Sequence, residues 1–228
     1  MSSTSTRETS PRARSSARWH LVLAVVAVTG LLLEVYLTAT GSYADADKDG
    51  DVASRLVNLF SYFTIQSNVL VLVTAITLAR NPYRTGTGWS VLRLDALLGI
   101  TVSLLVYWAV LAPTGLPTGL SLVATLIVHL ATPALCIVGW VLYGPRPRIN
   151  GPVISYAMIW PLAWLAYTFV HGAATDWYPY PFLKVVTIGY GRALINCLGV
   201  LVFALLLAAG YRALDKRLKP APDPEHAE

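Results

Sequence analysis

The sequence predicts an all-α integral membrane protein, a bundle of six transmembrane helices with both termini on the cytoplasmic side. Three observations predict it. Of 228 residues, 55% are hydrophobic and only 13% charged, where a soluble domain carries roughly 25% charged residues. Six apolar runs have about the ~20-residue length that crosses a bilayer core. Arginine and lysine concentrate in alternate connecting segments, the signature of cytoplasmic loops. Runs of this length read as helices because backbone groups cannot stay unpaired in lipid. The alternation expected of barrel strands is absent.

Taken in order, residues 1–18 are rich in Ser, Thr, Arg and Pro and read as a disordered basic tail holding Arg7, Arg12, Arg14 and Arg18. The first span, 19–40, carries Glu34. Its flanks, RARSSARW before and YADA after, resemble a signal peptide. The run exceeds the ~7–15 residues of such a segment, however, and holds a carboxylate, so it reads as a retained helix. The loop GSYADADKDGD (41–51) is acidic and faces outward. The second span, 56–79, contains YFTIQSN, and Arg80, Arg84 and Arg93 mark the return to the cytoplasm. The third span, 94–111, ends at the uncharged APTGLPTGL (112–120), whose tandem PTGL reads as a tight turn. The fourth, 120–143, is followed by Arg146 and Arg148. The fifth, 153–170, leads to an outer loop whose Trp177 and Tyr180 read as an interfacial aromatic belt. The sixth, 188–211, leaves a C-terminal cytoplasmic tail, 212–228, with Arg212, Lys216, Arg217 and Lys219. Residues 19–211 therefore form one membrane domain.

The net charge of +5 is mostly this topology signal, so it is only a weak argument for nucleic-acid binding, and no nucleic-acid partner is expected. Cys136 and Cys197 fall inside spans and read as small buried apolar side chains. No set of residues has metal-ligand spacing, so no metal or cofactor is expected. No inverted repeat of the transporter kind is visible. The sequence names no oligomeric state.

Depth places the polar residues together. At the rise of an α-helix, Thr64 lies ~12 Å below the outer end of the second span, His129 ~14 Å down the fourth, and Asn196 and Arg192 ~12 and ~6 Å down the sixth. Glu34 lands ~9 Å from the outer end of the first. All fall in the outer half of the membrane. Faces agree: Ser121, Thr125, His129 and Thr132 form one stripe, and Trp160, Trp164, Tyr167, Thr168 and His171 share another. Ser, Thr, Asn and Gln commonly bind membrane helices together, which is the simplest role for Gln66, Ser67 and Asn68.

Ionisable groups cost more, about 2.5–3.5 kcal/mol for charged types at mid-membrane. Glu34 and Arg192 oppose in sign at similar depth and are expected to pair. His129 has no charged partner at its depth. A neutral imidazole beside a hydroxyl suits general-base activation of Ser or Thr, and Thr64 shares its depth.

Three segments carry a family resemblance. YFTIQSN (62–68), VHLATPAL (128–135) and FVHGAATDWYPYPFL (169–183) occur in that order in a six-span chain. Together they resemble the androgen-induced-protein family, membrane threonine hydrolases of esters between a fatty acid and a hydroxy fatty acid. The resemblance covers nearly the whole chain and implies Thr64 as nucleophile and His129 as base. It departs from the animal members around the histidine, where VHLATP replaces an expected His-Thr pair with a further His upstream, and after Thr64. Those departures leave the substrate open.

Two readings follow. In the first, an intramembrane hydrolase acts on a lipid ester. Thr64 attacks, His129 takes the proton, Asn68 or Asn196 donates to the oxyanion, and a hydroxyl such as Thr132, or a backbone carbonyl, orients the histidine. Glu34, Arg192, His171, Trp164 and Tyr167 line the pocket. In the second, the same layer binds a solute or lipid headgroup in a small transporter, sensor or lipid-binding protein, with Glu34 and Arg192 as its charges.

Overall fold

The computed structural model describes residues 10–42 and 51–219. Among these the regular structure is helical, and six stretches are long and apolar enough to cross a membrane: 11–40, 63–80, 87–114, 119–143, 151–175 and 185–217. Residues 43–50 of the acidic loop (41–51) and the outermost parts of both predicted tails lie outside the described residues.

Helix α1 (Pro11–Thr40) begins eight residues before the predicted span. Ser10 accepts the Ala13 N–H through its hydroxyl, and proline occupies the first turn, where its missing N–H costs nothing. The inner part of the predicted basic tail is therefore helix. At the other end of α1, Gly41 takes the left-handed conformation that closes the helix, with φ 66°.

The predicted second span is two helices, α2 (Val52–Ser61) and α3 (Phe63–Arg80), separated at Tyr62, whose ψ of 130° is extended. The third span is α4 (Thr87–Val106), prolonged by a π turn over Tyr107–Leu111. The fourth is α5 (Gly119–Leu126), a π turn over Ile127–Ala131, then α6 (Thr132–Tyr143). The fifth divides into α7 (Gly151–Ala157) and α8 (Ile159–Thr175), just ahead of Pro161, which has no N–H to extend the ladder. The last, α9 (Val185–Arg217), is interrupted at Gly189, where φ is 74°.

Helix α4 is the centre of the bundle and packs on α3, α6, α7 and α9; α1 packs on α2, α3, α5 and α6. Helices α3 and α8 both come close to α4 at Gly99, where an added side chain would strike Ser67 of α3 and Trp160 of α8. Helix α9 lies at the edge, and its Ile195 and Leu206 face outward.

The arginine-rich ends are tied by hydrogen bonds to the carboxyl end of α6, where free carbonyls and the helix dipole favour cations. Arg146 donates to Trp140 and Val141, Arg12 to Leu142 and Arg93 to Gly144. Asp215 of α9 accepts the N–H groups of Arg148 and Ile149.

Candidate functional site

Each helix irregularity leaves backbone groups that need partners, and those partners build the site. At the α2–α3 break, the aromatic face of α8 supplies them. Trp164 donates to the Ser61 carbonyl at 2.9 Å, and the Tyr167 hydroxyl meets the Ser61 hydroxyl at 2.6 Å. His171 reaches Asn58 at 3.3 Å and stacks on Tyr167. Trp160 donates to Gln66, which in turn donates to the Phe60 carbonyl.

The π turn of the fourth span has its own cause. The Thr132 N–H bonds five residues back to Ile127. In that register the Val128 carbonyl would need the N–H of residue 133, which is proline. Asn68 fills the gap, its amide donating to the Val128 carbonyl at 3.2 Å and to the Thr64 carbonyl at 2.9 Å. Trp108 donates to the neighbouring His129 carbonyl at 3.1 Å. The other π turn likewise precedes a proline, Pro113. The two turns put Tyr107 and His129 face to face, with ring centroids 3.8 Å apart.

Thr64 and His129 both line one cavity of about 870 Å³, including its mouth. Its walls come from α3, α4, the π turns, α7, α8 and α9, and the Tyr180–Leu183 segment forms another part of the wall. Nearly all of the lining is apolar. Thr64 is buried in the first turn of α3, where backbone N–H groups are free of the helix ladder. The Tyr180 hydroxyl lies 3.3 Å from its N–H, which donates, and 3.4 Å from its hydroxyl. Burial pushes the Tyr180 phenol up, so it stays a neutral hydroxyl. His129 is half-buried, and its Nδ1 has no hydrogen-bond partner.

Several expected site residues stand elsewhere. Both donors of the Asn68 amide are engaged with carbonyls, so it positions Thr64 and the π turn and has no N–H left for an oxyanion. Asn196 donates to the Phe182 carbonyl at 2.9 Å and clamps the wall segment from behind. Thr132 is fully buried with its hydroxyl unpartnered, so it does not hold His129. Glu34 is buried on α1, which contributes nothing to the lining. Arg192 is exposed on α9 and has no carboxylate partner among the described residues, so the expected Glu34–Arg192 pair does not form. The helical phase explains this: Cys197, Val200, Leu201 and Ala204 face the cavity, and Arg192 points roughly 140° away from Cys197. Trp164 lines the cavity, whereas Tyr167 and His171 serve the α2–α3 break outside it.

Several lining residues went unread in the sequence, Tyr180, Ser103 and Asp95 among them. Tyr180, assigned to the aromatic belt, forms part of the cavity wall. Ser103, on the cavity face of α4, has a buried hydroxyl without a partner. Asp95 sits one residue inside the predicted third span; a carboxylate at that depth was the available signal. No family model, curated protein or solved structure matches this chain.

Proposed function

We propose that the protein is an intramembrane hydrolase of lipid esters, of the kind that join a fatty acid to a hydroxy fatty acid, with Thr64 as nucleophile and His129 as general base. The observation that carries this reading is the shared cavity, together with the single Asn68 side chain that ties the Thr64 carbonyl to the carbonyl beside His129. The likeness of YFTIQSN and VHLATPAL to the androgen-induced-protein family points to the same pair.

In this reading the acyl chain lies along the apolar wall, with its ester carbonyl at the start of α3. The Thr64 oxygen attacks the carbonyl carbon while its proton passes to His129. The Tyr180 hydroxyl, which accepts the Thr64 N–H and can donate its own proton, stabilises the developing oxyanion together with the positive end of α3. His129 returns the proton to the departing alkoxide, leaving an acyl-threonine and a free alcohol. Water, giving its proton to His129, then attacks the acyl-threonine; the acyl–oxygen bond to Thr64 breaks, His129 returns the proton to the Thr64 oxygen, and the fatty acid is released. Both termini and the arginine-rich loops face the cytoplasm, and the site lies in the outer half of the cell membrane.

Treating the purified protein with a fluorophosphonate probe tests the pair. Labelling is expected in the native chain and lost in Thr64→Ala and His129→Ala. Labelling that survives Thr64→Ala removes Thr64 as nucleophile, and its loss only in Ser103→Ala transfers the role to Ser103. A second reading, a non-enzymatic lipid-binding or transport protein, has its own support: no side chain holds His129 Nδ1. It predicts no labelling in any variant.

A further inference from the structure

The cavity has a second polar end. On α4 the lining residues Asp95, Leu98, Gly99, Val102, Ser103 and Val106 follow helical spacing and form one stripe. Asp95 is the only carboxylate among the lining residues and is 8% exposed. It makes no hydrogen bond or ion pair with any described residue, and its oxygens are not sealed into packed protein. Arg93, two residues back and so on the opposite face, is engaged with the Gly144 carbonyl. An unpaired carboxylate within a membrane helix is expensive when charged. Where no side chain meets that cost, a ligand can.

Asp95 and Tyr107, the ring stacked on His129, are twelve residues apart on one helix and its π extension, roughly 18 Å along the axis. Between them the walls are hydrocarbon: Leu98, Val102, Val200 and Leu201. A ligand that fills this space has an apolar middle and must meet polar protein groups at both ends.

We propose that Asp95 is a ligand-binding residue and that the cavity takes an elongated, long-chain amphiphile. Its far end carries a hydrogen-bond donor, a hydroxyl or an ammonium group, that Asp95 accepts. This rests on the cavity being the ligand site of the hydrolase reading, and it narrows the substrate to an ester whose chain bears an additional donor at the end remote from the ester, where a plain fatty acyl chain would place only a methyl group.

The test is competition against a fluorescent long-chain fatty acid bound to the full-length protein in detergent. Three competitors share one saturated sixteen-carbon chain with a hydroxyl at one end; the other end is methyl, hydroxyl or ammonium. The native protein is expected to favour the hydroxyl- or ammonium-ended compound over the methyl-ended one by about tenfold, the worth of roughly one charge-assisted hydrogen bond. Preference for hydroxyl alone identifies a neutral donor; preference for ammonium identifies a cation. In Asp95→Leu, which suits a membrane interior and keeps the fold, the preference is expected to vanish. Asp95→Asn is expected to keep a hydroxyl preference and lose an ammonium one. Equal competition by all three in the native protein, or a preference that survives Asp95→Leu, overturns the proposal. Binding needs no turnover, so end-group preference without probe labelling at Thr64 upholds Asp95 and removes only the hydrolase.

Discussion

Replacing Asn68 by leucine breaks the link between Thr64 and the histidine turn, and its cost can be worked from the hydrogen bonds. The Thr64 carbonyl keeps its partner in the α3 ladder, so losing the 2.9 Å bond leaves nothing orphaned there. The Val128 carbonyl is different. Its donor in the π register would be the absent N–H of Pro133, and the 3.2 Å bond from Asn68 replaces it. A buried group left unmet costs about 1–3 kcal/mol, while bonds between membrane helices average ~0.6 and reach ~1.7 kcal/mol. Asn68→Leu should therefore destabilise by roughly 1–2 kcal/mol. Pro133→Ala restores an N–H at position 133 and makes the Asn68 bond redundant. In that background Asn68→Leu should cost about 1 kcal/mol less. Unfolding of the native chain, both single variants and the double variant by SDS titration in mixed micelles measures the coupling. Costs that add within about 0.5 kcal/mol would show that Asn68 does not compensate for the proline, and would refute the account of the turn.

Gly172→Ala should displace the wall segment, because its methyl group would overlap the Tyr178 ring; a cost of about 1–3 kcal/mol and weaker probe labelling of Thr64 are expected in the same melts and gels. Arg192→Leu should leave stability within about 0.5 kcal/mol and labelling unchanged, and a marked loss of either would restore the Glu34–Arg192 pair. The Asp51 carboxylate accepts the Ser54 N–H at 2.8 Å, and that bond holds its pKa below the ordinary carboxylate value. Its capping contribution is therefore present above the unfolded-state value and lost as pH falls through the lowered folded value. Amide exchange in the first turn of α2 should accelerate in acid, and Asp51→Asn should abolish that pH dependence.

Hydropathy displays the six spans because burial in lipid demands long apolar runs, whatever their detailed geometry. It does not display the break at Tyr62, since Ser-Tyr-Phe contains no residue that stops a helix. The break exists because Trp164 and Tyr167 of α8 satisfy the groups it frees, a tertiary cause. The π turns are nearer the surface of the sequence, each standing two residues ahead of a proline. Depth along a span was informative for Thr64 and His129, which do share a cavity. It failed for Arg192 and Glu34 because depth says nothing of which way a side chain points. Tyr180 was misread because an aromatic in an outer loop suits the interface equally well, and only the packing of that loop under α3 and α9 brings it to Thr64.

That division bears on the function. Irregular backbone inside a membrane persists only where other groups satisfy it. Here the satisfying groups are the polar residues of one layer of the bundle: Asn68 and Trp108 at the π turn, Ser61, Gln66, Trp160, Trp164, Tyr167 and His171 at the break. Most of that layer is therefore structural, and its presence alone is no argument for chemistry. Subtracting it leaves a short set whose polar groups border the cavity: Thr64, Ser103, His129 and Tyr180 toward one end and Asp95 toward the other. Thr64 is distinguished within that set by its position at the first turn of α3, where the Tyr180 hydroxyl and the positive end of the helix favour the negative charge that attack on an ester carbonyl creates. The helix break thus creates the environment that a nucleophile would need, and the α8 side chains that stabilise the break are the means by which the fold maintains it.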